Sequence, residues 1–398
     1  VSQSSNTILI ILLGILTAVG PFSIDMYLPG MDAIAKDLGT PISNVQLTLT
    51  SFFFGISFGQ LFYGPIIDRF GRKLPLIYGL ILYIVSSLAC ALSDSVWSLV
   101  FFRFLQSLGA CAGMVVPRAV VRDVFSPHEG AKVFSQIILV MGVAPVVAPS
   151  IGGLLLNYAS WNMIFYALAI ISALTLLLSI YIFDDKKGSD HSISLKLVPV
   201  LKEYGEVFTN PAFRVYVLTS GFAAAVMFAY IAGSPFVFMV LNGLTNTEYS
   251  FVFSFNAFGL ILFSQINRLL LKKFEAATIV RVVVFSFLVL SVCLVASSML
   301  GFGFIPMLFF IFLLVSAFGL VVPNCSALAM APFSKNAGSA SALMGALQMV
   351  FGVLATAAVS ILHDGTEYPM LVVMGTSGLL ALACFVFLGR KSHKIKES

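Results

Sequence analysis

The 398 residues are 59% hydrophobic and only 10% charged, with a mean hydropathy of +1.03. A soluble domain is about a quarter charged, because a water-facing surface needs those groups, so most of this chain's surface faces something other than water. That balance excludes a soluble globular enzyme, and the net charge of +5 has to be explained by where the charges sit.

Taken in chain order, apolar runs separated by polar breaks fall at 8–29, 44–66, 74–93, 97–117, 132–156, 161–183, 212–241, 248–268, 277–300, 304–330, 338–362 and 369–389. A hydrocarbon core about 30 Å thick is crossed by about 20 apolar residues in a helix, and each run meets that length. No Lys or Arg precedes the first run and no small-residue cleavage site follows it, so it is expected to be a span and not a signal peptide. Pro41, Pro211 and Asn336–Gly338 punctuate starts, and Asp184-Asp185-Lys186-Lys187 ends the sixth run. The expected fold is an all-α membrane protein of 12 transmembrane helices in two six-helix bundles, 1–183 and 212–398. A linker over 184–211 joins them. Within it Leu195, Val198, Leu201, Tyr204 and Phe208 recur at helical spacing, which predicts an amphipathic helix on the membrane surface.

Basic residues fix the expected orientation. With the N-terminus in the cytoplasm, Lys36 is the one basic residue in an outer connection and Arg103 the one well inside a span; the rest of the 22 Lys and Arg fall in inner connections or the tail. Both termini are therefore expected to be cytoplasmic. The positive charge is a membrane-topology signal, and no nucleic-acid partner is expected. The five cysteines are odd in number, scattered through apolar runs and form no CxxC pair, and the four histidines lie in polar connections, so no disulfide framework or metal site is predicted.

Four strings carry chemistry. The second-to-third connection reads Gly64-Pro65-Ile66-Ile67-Asp68-Arg69-Phe70-Gly71-Arg72-Lys73. Gly64 and Gly71 allow close approach and a tight turn; Asp68 can meet a helix N-terminus, and Arg69 and Arg72 can pair with acids or lipid phosphates. The fourth span holds Arg103-Phe104-Leu105-Gln106-Ser107-Leu108-Gly109-Ala110. An arginine at that depth costs about 2.5–3.5 kcal/mol, so it should face a partner or a wet cavity, with Gln106 one turn on along the same face. In the fifth span Gly142, Pro145, Pro149 and Gly152–Gly153 share one nearly side-chain-free face, where a helix can bend and be approached closely. The first span reads Gly20-Pro21-Phe22-Ser23-Ile24-Asp25-Met26-Tyr27-Leu28-Pro29-Gly30, and Asp25 is the one acid well inside any span. Apolar surroundings disfavour its anion and a nearby Arg103 would favour it, so a carboxyl held between the two can load and release a proton near neutral pH.

The first string matches the G-x-x-x-D-R-x-G-R-[RK] signature of the major facilitator superfamily. The second resembles its R-x-x-Q-G-x-G-A element, with Ser107 in place of a glycine. The third resembles its antiporter motif, with Pro145 and Ala148 where many relatives carry glycine. With the first-span string, the chain resembles the bicyclomycin- and chloramphenicol/florfenicol-resistance (Bcr/CflA) family of drug/proton antiporters over nearly its whole length. The resemblance implies an exporter in a bacterial cytoplasmic membrane that works without a cofactor, driven by proton entry, and is expected to be monomeric. It implies proton coupling at Asp25 and Arg103, gating by Gly64, Asp68, Arg69, Gly71, Arg72, Pro145, Pro149, Gly152 and Gly153, and substrate contacts at Met26, Tyr27, Gln106, Met227, Tyr230 and Asn256. Some relatives carry a second acid near the position of Thr17, which suggests a one-proton cycle here. A metabolite exporter or proton symporter of the same fold is the nearest alternative. A membrane enzyme would need clustered intramembrane His, Asp or Ser, and a channel a re-entrant filter; the sequence has neither.

Overall fold

The computed structural model describes residues 3–125, 127–183, 197–333 and 337–389, and no strand occurs among them. Helix α1 (Gln3–Asp25) stops at a one-turn 3₁₀ segment, Leu28–Gly30, before the short α2 (Met31–Asp37). Pro29 has no N–H to continue the ladder, which accounts for the break. The chain continues through α3 (Ile42–Phe70), α4 (Lys73–Ala91), α5 (Val96–Val124), α6 (Pro127–Tyr158) and α7 (Asn162–Ile182). After α8 (Leu197–Thr209) come α9 (Pro211–Ser234), α10 (Asn246–Leu270), α11 (Ala276–Met299), α12 (Phe304–Met330), α13 (Ala337–Ile361) and α14 (Tyr368–Ala383). Side-chain caps open two of these helices. Ser95 Oγ accepts from Ser98 N at the start of α5, and Asn210 Oδ1 accepts from Ala212 N and Phe213 N beside Pro211 at the start of α9.

Eleven helical stretches among the described residues are long and apolar enough to cross a membrane, the first running Thr7–Asp37 through α1 and α2. The 32-residue α6, with its apolar half Val143–Tyr158, supplies the twelfth. Phe101, Leu154, Val289 and Leu354 stand exposed on these helices, as suits hydrocarbon solvent. Lipid is as apolar as leucine, so such helices are held by close packing and interhelical hydrogen bonds. Both occur: a Cβ on Gly109 of α5 would lie 2.6 Å from the Gly79 carbonyl of α4, and Ser51 Oγ donates to the Val100 carbonyl at 2.7 Å.

The chain divides into two compact units, Val1–Leu195 with Thr245–Ser254, and Lys196–Leu244 with Phe255–Ser398. The first has a core of Leu12, Leu13 and Leu16 on α1, Leu76 and Leu80 on α4, and Val116, Val120 and Val121 on α5. In the second, α9 packs against α12, α13 and α14. Helix α8 belongs to this second unit. Of the apolar stripe predicted for it, Leu195 lies outside the described residues, Tyr204 is buried and Phe208 is exposed. Val207, not part of that stripe, enters a cluster with Phe213, Val217, Ala329 and Ala340. The helix packs against α9 and α13 through this face.

Candidate functional site

The break after α1 places Asp25 at a helix end. Its side chain is buried, with the residue 5% exposed, and among the described residues it is the one buried acid with no ion-pair partner. No described side chain or backbone group gives it a hydrogen bond or an ion pair. Desolvating a bare carboxylate costs several kcal/mol, so a dry pocket favours the neutral acid and a wetted one the anion. Thr17, two turns earlier, satisfies its hydroxyl on its own helix by donating to the Leu13 carbonyl at 2.7 Å.

Arg103 on α5 is fully buried and is held differently from the sequence expectation. Its guanidinium lies 4.2 Å from the ring centroid of Phe52, 4.7 Å from that of Tyr27 and 5.8 Å from that of Phe165. Two close desolvated ring contacts at about 2 kcal/mol each offset the about 2.5–3.5 kcal/mol that burying an arginine costs. Nη1 donates to Gln106 Oε1 at 2.7 Å; Gln106 Nε2 donates to Ser87 Oγ at 2.7 Å, and Ser87 Oγ donates to the Tyr83 carbonyl. The remaining Nε and Nη2 are buried without an acceptor among the described residues. Asp25 and Arg103 are thus not brought together as an ion pair. They are linked through Tyr27, whose ring covers the guanidinium and whose hydroxyl shares a 2.8 Å hydrogen bond with Thr48.

Tyr83 also reaches α1, where its hydroxyl shares a 2.5 Å hydrogen bond with Ser23, two residues before Asp25. Gly109 makes this possible, since a Cβ there would lie 2.6 Å from Tyr83 N and push α4 away. Sequence reasoning missed Ser23, Tyr83 and Ser87. The available signal was the Tyr83–Ser87 hydroxyl pair, four residues apart on one face of an otherwise apolar helix.

At the end of α3, Gly71 takes φ 82°, a conformation that favours glycine, and turns the chain into α4. Arg72 is the centre of this turn. It pairs with Asp68 at 2.9 Å, with Asp123 of α5 at 3.0 Å through both Nε and Nη2, and with the Ile67 carbonyl through Nη1. The guanidinium of Arg69 lies 5.6 Å from the Phe70 ring, and Lys73 Nζ donates to the Ile180 carbonyl. Asp123 was not among the predicted site residues; it follows Arg122 at the end of the fourth span, where an acid among inner arginines was the cue. Gly64 does not serve the close approach expected of it, since a Cβ there would meet nothing within 4 Å.

On α6, Pro149 is buried and Pro145 half-buried. The Pro149 and Val146 carbonyls accept from Ser250 Oγ at 2.8 Å and Ser254 Oγ at 2.6 Å, both on the segment of α10 that belongs to this unit. A Cβ on Gly153 would lie 2.5 Å from Ser250 Oγ, and one on Gly152 only 2.1 Å from the Met26 carbonyl at the α1 break. Backbone cannot step aside as a side-chain tip can, so Gly152→Ala is expected to lower stability by about 1–3 kcal/mol. Gly64→Ala should leave the unfolding midpoint in detergent unchanged or slightly raised. Equal midpoints for the two variants would refute the close-packing role.

In the second unit Asn256 Nδ2 donates to Tyr230 Oη at 2.9 Å, both residues being buried, and Asn256 Oδ1 is buried without a partner among the described residues. Met227 is half-buried one turn before Tyr230 on α9. Of the predicted substrate contacts, Met26, Tyr27 and Gln106 lie in the first unit, the latter two against Arg103, and Met227, Tyr230 and Asn256 lie in the second.

Comparison with known proteins identifies the family. Residues 13–356 match the family model described as Major Facilitator Superfamily. An uncharacterized MFS-type transporter, YdgK of Bacillus subtilis, is 36% identical over 382 residues, covering 96% of this chain and 95% of the relative. A bicyclomycin resistance protein homolog of Haemophilus influenzae is 31% identical over 98% of both chains, and the multidrug resistance protein MdtL of Shigella flexneri is 29% identical over 83% and 82%. Among solved structures, a D-xylose-proton symporter superposes with a TM-score of 0.75 at 15% identity, covering 95% of this chain and 97% of its own, a likeness of fold. The chain is a multi-pass membrane transporter and belongs to the Major Facilitator Superfamily.

Proposed function

We propose that the protein exports apolar or amphipathic small molecules from a bacterial cell in exchange for protons, by alternating access across the cytoplasmic membrane with both termini inside. The observation that carries this reading is Asp25, a buried acid at a break in α1 that has no partner among the described residues. A group so placed changes charge when its pocket is wetted or dried, which is what coupling to a proton requires. The names of the bicyclomycin and multidrug resistance relatives support a drug-like substrate class.

In the cycle, the outward-facing protein takes a proton on Asp25 and releases substrate. The inward-facing protein gives up the proton as substrate binds. Arg103, held against Tyr27 and Phe52, lies one ring away from the acid's helix break and places a fixed positive charge near the pocket. The Arg72 cluster latches the turn between α3 and α4. The packing of Gly152 on the Met26 carbonyl ties α6 to the helix that carries Asp25, so a bend in α6 is felt at the acid.

The test is transport into proteoliposomes with an imposed pH gradient. A panel of apolar antibiotics and dyes is first screened by thermal shift, where a ligand at about 100 times its Kd adds about 2.7 kcal/mol of stability. An exchanger accumulates the hit when the lumen is acidic, as protons leave. Accumulation only with an alkaline lumen would identify a symporter and overturn the reading.

A further inference from the structure

The first unit contains a groove of about 560 Å³ that lies between α1, α6 and α7 and touches the Arg103 network only at Tyr83. Val19 and Phe22 of α1 form one wall, Val143 and Val147 of α6 another, and Ile171 and Ser172 of α7 the third. Val143, Val147 and Ile171 are 44%, 39% and 38% exposed within membrane-spanning helices, so the groove opens toward hydrocarbon. Its floor is Tyr83, the residue whose hydroxyl holds Ser23, two positions from Asp25.

Ser172 separates this groove from a mere gap between helices. It is 1% exposed, lines the groove and, unlike Thr175 and Ser179 on the same helix, has no hydrogen-bond partner among the described residues. A helix-borne hydroxyl ordinarily satisfies itself on the carbonyl four residues earlier, and leaving it bare costs about 1–3 kcal/mol. An acyl chain would not relieve that cost, whereas a ligand with an apolar body and one polar atom would.

We propose that this groove is a lateral subsite where a neutral, largely apolar molecule carrying one hydrogen-bonding group enters from the bilayer and lies against Ser172 before reaching the Ser23–Asp25 region. The assignment rests on the export reading for its purpose, but occupation of the groove needs no proton gradient and is measured separately. Such a subsite draws its ligand from the lipid, where an apolar compound is already concentrated.

The test is photolabelling of the full chain in phosphatidylcholine nanodiscs with an aryl-azide derivative of N-phenyl-1-naphthylamine, an apolar probe with one N–H donor. Cross-linked peptides are mapped by mass spectrometry. Label is expected on α6 and α7, competed by the parent amine. Ser172→Ala should weaken apparent affinity about fivefold, the equivalent of one hydrogen bond of about 1 kcal/mol. Val143→Trp, at an exposed rim position that leaves the core packing alone, should abolish labelling while the unfolding midpoint stays at the parent value. Label spread evenly over lipid-facing helices, or labelling of α6 and α7 indifferent to both substitutions, would overturn the subsite. A phospholipid that co-purifies with the parent, is lost in Val143→Trp and is not displaced by the amine would assign the groove to lipid and also overturn it. Proton-driven transport with an unlabelled groove would sink the subsite alone; groove labelling without transport would sink the export reading alone.

Discussion

Asp25→Asn is expected to eliminate proton-driven exchange in proteoliposomes while the protein folds and binds substrate. Asparagine keeps the shape and removes the titratable group. Because no group among the described residues donates to or pairs with the Asp25 carboxyl, the substitution breaks no hydrogen bond and strands no counter-ion there, the two routes by which a buried polar change usually destabilises a protein. The unfolding midpoint should therefore match the parent or exceed it. Downhill, gradient-independent counterflow of substrate should survive, since it needs no change of charge. Loss of counterflow together with exchange, at unchanged stability, would make Asp25 a substrate ligand and not a proton carrier; full exchange in the variant would remove it from the mechanism.

The second large effect is expected at Arg72, and it is a stability effect. The Arg72 and Asp123 side chains are 7% and 8% exposed, whereas Asp68 is 42% exposed. Arg72→Gln takes the cation away from the Asp123 carboxylate, and breaking a buried pair by removing one member costs about 3–5 kcal/mol. Asp68→Asn breaks a half-wet pair, for which the loss is at most about 1 kcal/mol. The ordering of unfolding midpoints should follow: Arg72→Gln far below the parent, Asp68→Asn close to it. Adding Asp123→Asn to Arg72→Gln should recover much of the loss, because the buried negative charge is then removed with its cation. Were Asp68→Asn to cost as much as Arg72→Gln, the turn would be held by the exposed acid, and the buried pair would be secondary.

What the sequence made legible, and what it did not, follows from the solvent. In lipid, backbone must satisfy itself within helices, so uninterrupted apolar runs announce spans and their polar breaks announce ends. Charge is so costly there that Asp25 and Arg103 stood out by rarity alone. The turn at Gly71 was legible because a positive φ leaves a glycine in the chain. Contacts across helices left no such mark. Phe52 and Phe165 cover Arg103, yet they are two among 38 phenylalanines, and nothing local tells a caging ring from a lipid-facing one. The partner of Arg72 lay fifty-one residues away on another helix, and the open space at Gly64 was invisible for the same reason. Helix α8 showed its period but not what it would bury against, which shifted its inner face to Val207.

The solitary acid in α1, with Thr17 satisfied on its own backbone, also has an electrical consequence. One titratable group moved against one substrate molecule fixes the sign and size of the charge carried per turnover. A neutral compound leaving as one proton enters moves one positive charge inward, so membrane voltage assists its export by about 2.3 kcal/mol per 100 mV in addition to the pH difference. A monovalent cation exchanged one for one moves no net charge and is blind to voltage, so only the pH difference drives it. A divalent cation would be expelled against the voltage. Transport that quickens with interior-negative potential for neutral compounds and ignores it for monovalent cations would be the current-voltage signature of a lone Asp25.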